Sequence, residues 1–385
     1  MKTSLTHRVR VEIDLAALKR NYTKIARKAH PAQVLAVMKA NAYGLGVGEY
    51  AKALAAAGCR MFGVAEPFEA LELVNAKSLS GLGCEVQILS SILPDEIPEM
   101  VAAGVILPVT GLESAKLISA AARRLKKTAK VHFKIDTGMG RLGILSEDAI
   151  TVMKAVEALP NLDCEGVFTH CPMAYDPKDV YTKRQIARFK RLVKEAEKEG
   201  MTFRKVHMAA SDAINNFPET LKAPFNVVRT GINLHGSFDP NGRRVFALES
   251  VLTLKTRVAQ VRMLPAGTTL GYGRTWCLKE PTLVATISAG YADGLPLALA
   301  NRASVLIKGK RCPVIGRVSM DYTTVDVSDV PDVAAGDEVV CLGSSGSETI
   351  TPDDWAALKG THAYDIICSF GSRVQRVVAS RDGET

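Results

Sequence analysis

The chain has 385 residues, of which 47% are hydrophobic and 23% are charged, and this composition excludes a largely disordered protein. The length suits one large domain with a smaller one, and a chain of this size needs no disulfide or metal cross-link to fold. Lys and Arg outnumber Asp and Glu by 49 to 40 without a long basic run, which indicates a solvated basic surface suited to anionic small substrates rather than a nucleic-acid-binding face.

Short apolar runs alternate with helix-like segments over about the first 235 residues. Each run is short and apolar or β-branched, as is typical of a strand buried in a parallel sheet. Segments such as Asp14–Ala29 and Gln185–Glu199 repeat apolar residues at helical spacing, and Asp14 can cap the first of them. The alternation predicts a (β/α)8 TIM-like barrel, with an open doubly wound sheet as the alternative. The predicted strands are Val34–Ala40, Met61–Ala65, Glu85–Leu89, Gly104–Val109, Lys130–Asp136, Cys164–His170, Lys205–Ala209 and Asn226–Ile232.

Beyond Phe246 the helical patterns largely stop, and closely spaced apolar runs alternate with Gly/Pro turns. This pattern predicts a mostly β second domain. The turn formers at residues 239–242 predict the hinge, so we assign residues 1–242 to the barrel and residues 243–385 to the mostly β domain. The last five residues predict a frayed tail. The predicted strands are Thr256–Met263, Leu283–Ile287, Ala303–Ile307, Cys312–Arg317, Thr323–Val327 and Glu338–Leu342.

Cysteine usage and hydropathy predict where the protein resides. Eight scattered cysteines form no Cys-x-x-Cys pair, which indicates reduced thiols and a cytoplasmic location. Residues 1–10 lack the apolar stretch of a secretion signal, and no apolar run approaches the ~18 residues needed to span a membrane. We therefore expect a cytoplasmic protein without a membrane partner.

The barrel prediction selects candidate functional residues, because such residues cluster at the C-terminal ends of barrel strands. Lys39 ends the first predicted strand, where a buried ammonium group would be costly. It either reaches solvent or has a lowered pKa and forms a Schiff base with an aldehyde cofactor. The glycines of Gly44–Gly48 either shape a tight βα turn, which we favour, or belong to a dinucleotide-binding fingerprint.

Four candidates follow the fifth, sixth and seventh strands. Lys134 and Arg141 bracket a Gly-rich stretch, which suits bidentate binding of a carboxylate but also fits a surface arginine on a turn. His170 and His207 end two strands and serve either as structural hydrogen-bonding groups or in catalysis. The histidines show no His-Glu-x-x-His or other metal-binding spacing, so we expect no metal.

The last two barrel strands predict a phosphate site. Ser211 and Gly231 follow these strands, and backbone N–H groups at this position commonly bind phosphate in barrels, although Ser211 alone would be taken for an N-cap. A phosphate there and a Schiff-base lysine at the first strand describe pyridoxal phosphate lying across the barrel mouth. Arg229 would then lie near the pyridine nitrogen, where it cannot accept the ring proton. Without a proton held on its ring nitrogen, the cofactor would withdraw electrons from the substrate less strongly. This favours rapid reprotonation of the substrate over transamination.

A series of ordered segments carries a resemblance to one known family. The segments are Val37–Gly46, Lys134–Gly143, Glu165–His170, His207–Ser211, Val228–Ile232, Gly271–Thr275, Tyr291–Gly294 and Gly316–Asp321. Over nearly its whole length the chain resembles the alanine racemase family, the fold-type III pyridoxal-phosphate enzymes. The resemblance implies a homodimer with shared active sites that uses pyridoxal 5'-phosphate to interconvert L- and D-alanine for peptidoglycan. A serine-preferring or broader amino-acid racemase is the alternative.

The resemblance also implies a two-base mechanism. Lys39 resembles the lysine that holds the cofactor and serves as one base, and Tyr272 resembles the opposite base, contributed by the second subunit. Because both side chains ordinarily have pKa values near ~10, both pKa values must be lowered. Imine formation, cationic Arg229 and a histidine contact are suitable means. A single swinging base is the less favoured mechanism.

Further roles are implied in the same way. Arg141 resembles the residue that holds the substrate carboxylate and the cofactor phenolate, and Lys134 resembles a lysine whose carbamylation fixes that arginine. His207 is similar to the residue that hydrogen-bonds the catalytic tyrosine, and His170 to one that supports Arg229. The remaining implied roles are phosphate binding by Tyr43, Ser211, Gly231 and Ile232, a substrate contact from the partner subunit by Met320, an entrance residue, Tyr291, and a supporting residue, Asp321.

The chain departs from the family pattern near the implied site. Ser372 stands where the family often has a tyrosine. This departure puts phosphate anchoring and pocket volume in doubt and adds a bulkier or more polar substrate as an alternative to alanine. His235–Gly236 replaces a Tyr-Gly pair. Ser319 and Tyr322 stand where cysteine and glutamine are common.

Three rival functions use parts of the same pattern. A fold-type III decarboxylase is disfavoured by Arg141 and Tyr272 in their motifs. A non-catalytic pyridoxal-phosphate carrier would need neither the β domain nor Tyr272. A nicotinamide-dependent dehydrogenase would depend on the glycine fingerprint alone, which is a weak signal.

Overall fold

The computed structural model describes residues 7–239 and 241–379. Three parts of the sequence-based predictions therefore lie outside the described residues. They are the first six residues of the segment tested for a secretion signal, Pro240 within the predicted hinge, and the predicted C-terminal tail at residues 381–385.

Eight parallel strands form a nearly closed barrel in which spatial order follows chain order. After β1 (Arg10–Ile13), which joins another sheet, the barrel strands are β2 (Gln33–Val37), β3 (Met61–Val64), β4 (Glu85–Ile88), β5 (Leu107–Val109), β6 (Ala129–Asp136), β8 (Leu162–Phe168), β9 (Lys205–His207) and β10 (Val227–Thr230), and the short strand β7 (Ile144–Leu145) lies beside β6. β10 pairs with β2, and a parallel bridge between Gln87 and Ile106 joins β4 to β5. The barrel prediction is confirmed, and the open doubly wound alternative is wrong because the two edges meet.

Helices connect the barrel strands and cover the outside of the barrel. They are α1 (Leu15–Ala29), α2 (Lys39–Gly44), α3 (Val47–Ala56), α4 (Pro67–Val74), α5 (Ile97–Ala103), α6 (Leu112–Arg124), α7 (Ala149–Glu157), α8 (Val180–Lys198) and α9 (Ser211–Asn216). As predicted, the Asp14 side chain caps α1 by accepting a 2.8 Å hydrogen bond from the backbone N–H of Ala17. Within residues 7–239 and 241–379, no helix combines the length and the apolar character that crossing a membrane requires.

The second half of the chain forms a nine-stranded sheet, as expected of a mostly β domain. Its strands are β1, β11 (Leu252–Leu264), β14 (Thr282–Ile287), β15 (Ser304–Ile307), β16 (Lys310–Pro313), β17 (Thr323–Asp326), β18 (Glu338–Ser345), β19 (Glu348–Ile350) and β20 (Gln375–Val378). A separate hairpin of β12 (Thr269–Leu270) and β13 (Trp276–Cys277) extends from it. Two short helices that the sequence did not predict, α10 (Pro352–Lys359) and α11 (Ala363–Cys368), precede β20.

The first strand belongs to this second sheet rather than to the barrel. β1 pairs antiparallel with β11 and parallel with β20, and its inward-facing Val11 and Ile13 are 0% and 3% exposed. The sequence-based division, which assigns residues 1–242 to the barrel, stays a prediction at its internal boundary. The start of the chain nevertheless completes the C-terminal sheet, because alternating apolar residues bury one face of a strand wherever a sheet edge is open.

The two parts share one core. A continuous cluster of buried hydrophobic side chains runs from Leu18 and Ile25 of α1 to Leu254 of β11 and Trp355 of α10. The guanidinium group of Arg376, on β20, donates a 2.8 Å hydrogen bond to the carbonyl of Gly44. The C-terminal part is thereby held against the segment that follows the first barrel strand, which is where the candidate site lies.

Candidate active site

A cavity of about 730 Å³ opens where the barrel strands end. The predicted site residues that line it are Lys39, Tyr43, Lys134, Arg141, His170, Ser211, Arg229 and Gly231. His362 and Tyr364, from the start of α11, also line it. The strand-end rule selected these residues apart from Tyr43, which the family resemblance added, whereas the residues from α11 follow no barrel strand and gave no such signal.

The backbone turns to the left immediately after Lys39. Residues 40–43 all adopt left-handed conformations, with φ between 52° and 58°, although each L-residue pays roughly 1–2 kcal/mol to do so. Gly44 and Gly46 continue with positive φ, as a tight turn requires, whereas Gly48 lies within α3. The turn leaves the Lys39 side chain at the cavity, and Tyr43, which is buried, also lines it.

Three of the predicted phosphate ligands converge at one end of the cavity. The hydroxyl of Ser211, at the start of α9, accepts a 3.1 Å hydrogen bond from the backbone N–H of Gly231. A Cβ at Gly231 would lie 2.0 Å from the hydroxyl oxygen of Tyr43, so only glycine fits there. Ile232 is fully buried and is not part of the cavity wall.

An aromatic cluster supports Tyr43 from behind. The ring of His235 meets the ring of Tyr43 edge-on at 4.8 Å, and Tyr364 lies 5.8 Å away. The hydroxyl of Tyr50 is 3.0 Å from Nδ1 of His235. Because burial lowers the pKa of His235 to about 3, its imidazole is neutral, and its Nδ1 forms a hydrogen bond with the Tyr50 hydroxyl. His235, which stands where the family has a tyrosine, is therefore held by Tyr50. Sequence reasoning did not identify Tyr50.

Arg229 is buried and held by the barrel strands around it. Its Nη2 donates to the carbonyl oxygens of Thr169 at 2.8 Å and Met208 at 3.0 Å, and its Nη1 lies 3.0 Å from Nδ1 of His207. Burial lowers the pKa of Arg229 to about 10, so the guanidinium remains charged at neutral pH. A fixed positive donor therefore faces the cavity.

The two histidines at strand ends occupy different environments. His207 is fully buried, and its ring nitrogens are 3.0 Å from Arg229 and 3.0 Å from His132. Both ring nitrogens therefore already have partners, and neither is free to bond a tyrosine at the cavity mouth. The predicted hydrogen bond from His207 to the catalytic tyrosine is corrected, because the last residue of β9 points into the barrel interior. His170 lines the cavity 3.4 Å from Arg229, as a residue supporting that arginine should. Burial, followed by Arg229 and Arg141, lowers the pKa of His170 to about 3.

The Gly-rich loop that carries Arg141 is organised by a carboxylate. Asp136 accepts backbone hydrogen bonds from Gly138, Met139, Gly140 and Arg141 at 2.8–3.2 Å. These bonds outweigh burial and lower the pKa of Asp136, so it stays ionised. Sequence reasoning missed this role, although an aspartate followed by glycines is a known turn signal.

Lys134 projects into the same region and is nearly buried. Its ammonium group donates to the carbonyl oxygens of Leu89 and Ser90, the latter at 3.2 Å. Burial, followed by the charges of Arg141 and Arg229, lowers the pKa of Lys134 to about 8. An appreciable fraction of this amine is therefore neutral near physiological pH.

The predicted site residues of the second domain do not line this cavity. Tyr272 is 72% exposed in the turn between β12 and β13, and Met320 and Tyr291 are 51% and 44% exposed. Asp321 binds Arg373 at 2.7 Å on the wall of a smaller cavity. Ser372 is also exposed and away from the large cavity. Within one chain, these residues are therefore separate from the barrel mouth.

Comparison with known proteins places both parts of the chain in one family. The family model described as the alanine racemase N-terminal domain matches residues 13–239, and the model of the alanine racemase C-terminal domain matches residues 251–378. An alanine racemase from Carboxydothermus hydrogenoformans is 39% identical over 95% of this chain and 98% of its own length.

Solved structures give the same result. The alanine racemase of a D-cycloserine-producing Streptomyces lavendulae superimposes with a TM-score of 0.90 at 33% identity over 98% of each chain. That of Bartonella henselae, which carries covalently bound pyridoxal phosphate, superimposes with a TM-score of 0.86 at 28% identity over 97% of this chain and all of its own. The chain belongs to the alanine racemase family.

Proposed function

We propose that the protein interconverts L- and D-alanine with pyridoxal 5'-phosphate and so supplies D-alanine for cell-wall peptidoglycan. The observation that carries this proposal is the convergence of Lys39, Arg229 and the polar pocket of Tyr43, Ser211 and Gly231 on one cavity, in a chain whose relatives are alanine racemases. A serine-preferring or broader amino-acid racemase is the alternative.

The cavity residues fit this cofactor. The pocket that a Cβ at Gly231 would fill has hydroxyl groups and backbone N–H groups suited to a phosphate. Lys39 would hold the aldehyde carbon, and Arg229 would face the ring nitrogen. Bound in this way, the cofactor would withdraw electrons from the substrate Cα and make its proton removable.

Arg229 would limit that electron withdrawal. Its pKa of about 10 keeps it a donor at neutral pH, and a charged guanidinium gives a ring nitrogen a hydrogen bond but takes no proton from it. Arg229 would therefore favour prompt return of a proton to Cα.

Racemisation requires groups on both faces of Cα. Lys39 would serve one face, and Tyr272 of a second copy would serve the other. The exposed position of Tyr272 on a projecting hairpin supports a contribution across a homodimer. His170, on the cavity wall beside Arg229, would support that arginine. Met320 and Tyr291 of the second copy would approach the same mouth.

Arg141 would bind the substrate carboxylate. Its loop is fixed by Asp136, which limits the conformational freedom that binding would otherwise cost. Lys134, with a pKa of about 8, has the neutral amine that carbamylation requires, and a carbamate there would carry a negative charge next to Arg141.

We also propose a cytoplasmic location. All eight cysteines are free of disulfides in the structure, as is usual in a reducing compartment.

Chiral chromatography tests the activity and the substrate together. The purified protein, supplied with pyridoxal phosphate, is incubated with each L-amino acid in turn, and D-alanine should accumulate to an equal ratio of enantiomers. The matched control is Lys39→Ala, which keeps the fold but removes the amine. Borohydride reduction of the wild-type protein should leave the cofactor on the peptide that contains Lys39. Absence of every D-amino acid, with the cofactor bound, would leave a carrier as the better explanation.

A further inference from the structure

A continuous chain of hydrogen-bonding groups crosses the barrel interior from Arg229 to Glu165. Nη1 of Arg229 is 3.0 Å from Nδ1 of His207, Nε2 of His207 is 3.0 Å from Nδ1 of His132, and Nε2 of His132 is 3.2 Å from Oε1 of Glu165. The four side chains come from the adjacent strands β10, β9, β6 and β8 and are at most 4% exposed. The candidate mechanism uses only the Arg229 end.

The chemistry of the two ends determines where the protons lie. A guanidinium only donates, so Nδ1 of His207 accepts, and the single proton of this ring is on Nε2. That proton is donated to Nδ1 of His132, which the side-chain amide nitrogen of Gln87 also approaches at 3.0 Å as a donor. The proton of His132 is therefore on Nε2 and is donated to Glu165. Burial lowers the pKa of both histidines, so each ring is neutral and has one defined tautomer.

The carboxylate end is permanently charged. Glu165 accepts hydrogen bonds from Lys205 and Arg204, each at 2.9 Å, in addition to the one from His132. These bonds outweigh burial and hold the pKa of Glu165 well below its ordinary value. A charged acceptor forms the stronger kind of hydrogen bond and polarises the groups bonded to it in series.

We propose that Glu165 and His132 are positioning residues that hold His207 in the tautomer able to accept from Arg229. The opposite tautomer would place an N–H of His207 against an N–H of Arg229, and the guanidinium would lose this contact. The inference rests on the proposed function in one respect, because it matters for catalysis only if Arg229 faces the cofactor ring.

Nitrogen NMR of the ring atoms tests the proposal directly. The full-length protein as purified is labelled with ¹⁵N-histidine, and the His207 signals are assigned by their loss in His207→Gln. In the wild type, Nε2 of both His207 and His132 should carry the proton. A proton on Nδ1 of either ring would overturn the proposal. The tautomers themselves are read in the wild type, and His207→Gln serves only to assign the His207 signals.

Two matched variants separate positioning from simple charge balance. In Glu165→Gln the amide can donate to His132 as well as accept from it, so His207 should populate both tautomers. Glu85→Gln is the control, because Glu85 binds Lys130 and Lys205 at the same end of the barrel and its carboxylate bonds to neither histidine ring. A single wild-type tautomer in Glu165→Gln would contradict the proposal.

Kinetics of the cofactor-loaded enzyme give the second readout. We expect Glu165→Gln to lower kcat by about ten-fold or more, the usual scale for the loss of a residue that orients a functional group, with KM within about two-fold of the wild-type value. Glu85→Gln should resemble the wild type. Equal losses in both variants would indicate a merely structural ionic cluster and refute positioning. If the wild type has no racemase activity, the proposed function fails, while the ring tautomers still decide this inference.

Discussion

Burial and neighbouring charges shift the pKa values of single residues at the site away from their values in solution. Lys134 is the clearest case, since burial and two nearby arginines lower its pKa to about 8. The unfolded chain would hold this proton with an ordinary lysine pKa of 10.5. The unfolded state therefore binds more protons between these two values, and stability rises with pH across that interval.

Replacing Lys134 should remove this pH dependence. In buffers free of carbon dioxide, we expect the free energy of unfolding of the wild type, relative to Lys134→Met, to increase from pH 8 to pH 10. Urea denaturation at several pH values measures the difference. An identical pH slope in the two proteins would show that the amine titrates normally.

Gly231 offers a second prediction at this scale. In Gly231→Ala the new Cβ would lie 2.0 Å from the Tyr43 hydroxyl, so the tyrosine must move away from the phosphate pocket. We expect pyridoxal phosphate affinity, measured by equilibrium dialysis, to fall by about ten-fold or more, equivalent to ~1.4 kcal/mol. Gly48→Ala is the control, because a Cβ at that position would have no atom within 4 Å. Equal affinity in both variants would contradict the assigned pocket.

At the scale of elements, the left-handed turn after β2 is the unusual feature of the site. Residues 40–43 keep unfavourable backbone angles only because the surrounding structure holds them. Arg376 bonds the carbonyl of Gly44 at 2.8 Å, and Asn41 accepts a 2.7 Å hydrogen bond from the N–H of Val47. Strain retained next to a candidate catalytic lysine is consistent with a segment shaped for function.

Glycine should relieve this strain. Ala40 has φ of 53°, and Ala40→Gly should leave stability unchanged or raise it by up to about 1 kcal/mol, because glycine adopts this conformation without steric cost. Ala187→Gly, at an exposed position within α8, should instead lower stability by about 1 kcal/mol. Urea denaturation measures both, and equal destabilisation would show that the turn is unstrained.

At the scale of the whole molecule, the two proposed bases lie apart within one chain. Lys39 lies at the barrel mouth, whereas Tyr272 lies on an exposed hairpin of the other sheet. Closed two-fold symmetry would bring each hairpin to the other barrel and create two equivalent sites. A variant that lacks Lys39 and a variant that lacks the Tyr272 hydroxyl would then each be inactive alone.

Mixing two inactive variants should restore activity. A heterodimer of Lys39→Ala and Tyr272→Phe contains one site with both defects and one intact site, so random pairing should recover about a quarter of wild-type activity. The measurement is racemisation of alanine after the two proteins are unfolded and refolded together. Each variant refolded alone is the control. No recovery in the mixture would place both residues of a site in the same chain.

The sequence by itself determined the barrel, the mostly β second domain and several charged and polar residues of the cavity wall. Short apolar runs report buried parallel strands, and residues such as Lys39, Arg141 and Arg229 could be selected because strand ends share one face of a barrel. The tertiary structure decided what depends on contacts between distant strands. It assigned β1 to the second sheet, turned His207 into the interior, and joined Glu165 to Arg229 across the barrel. Such contacts depend on which side chains meet inside the barrel, and the local spacing of residues along the chain does not predict them.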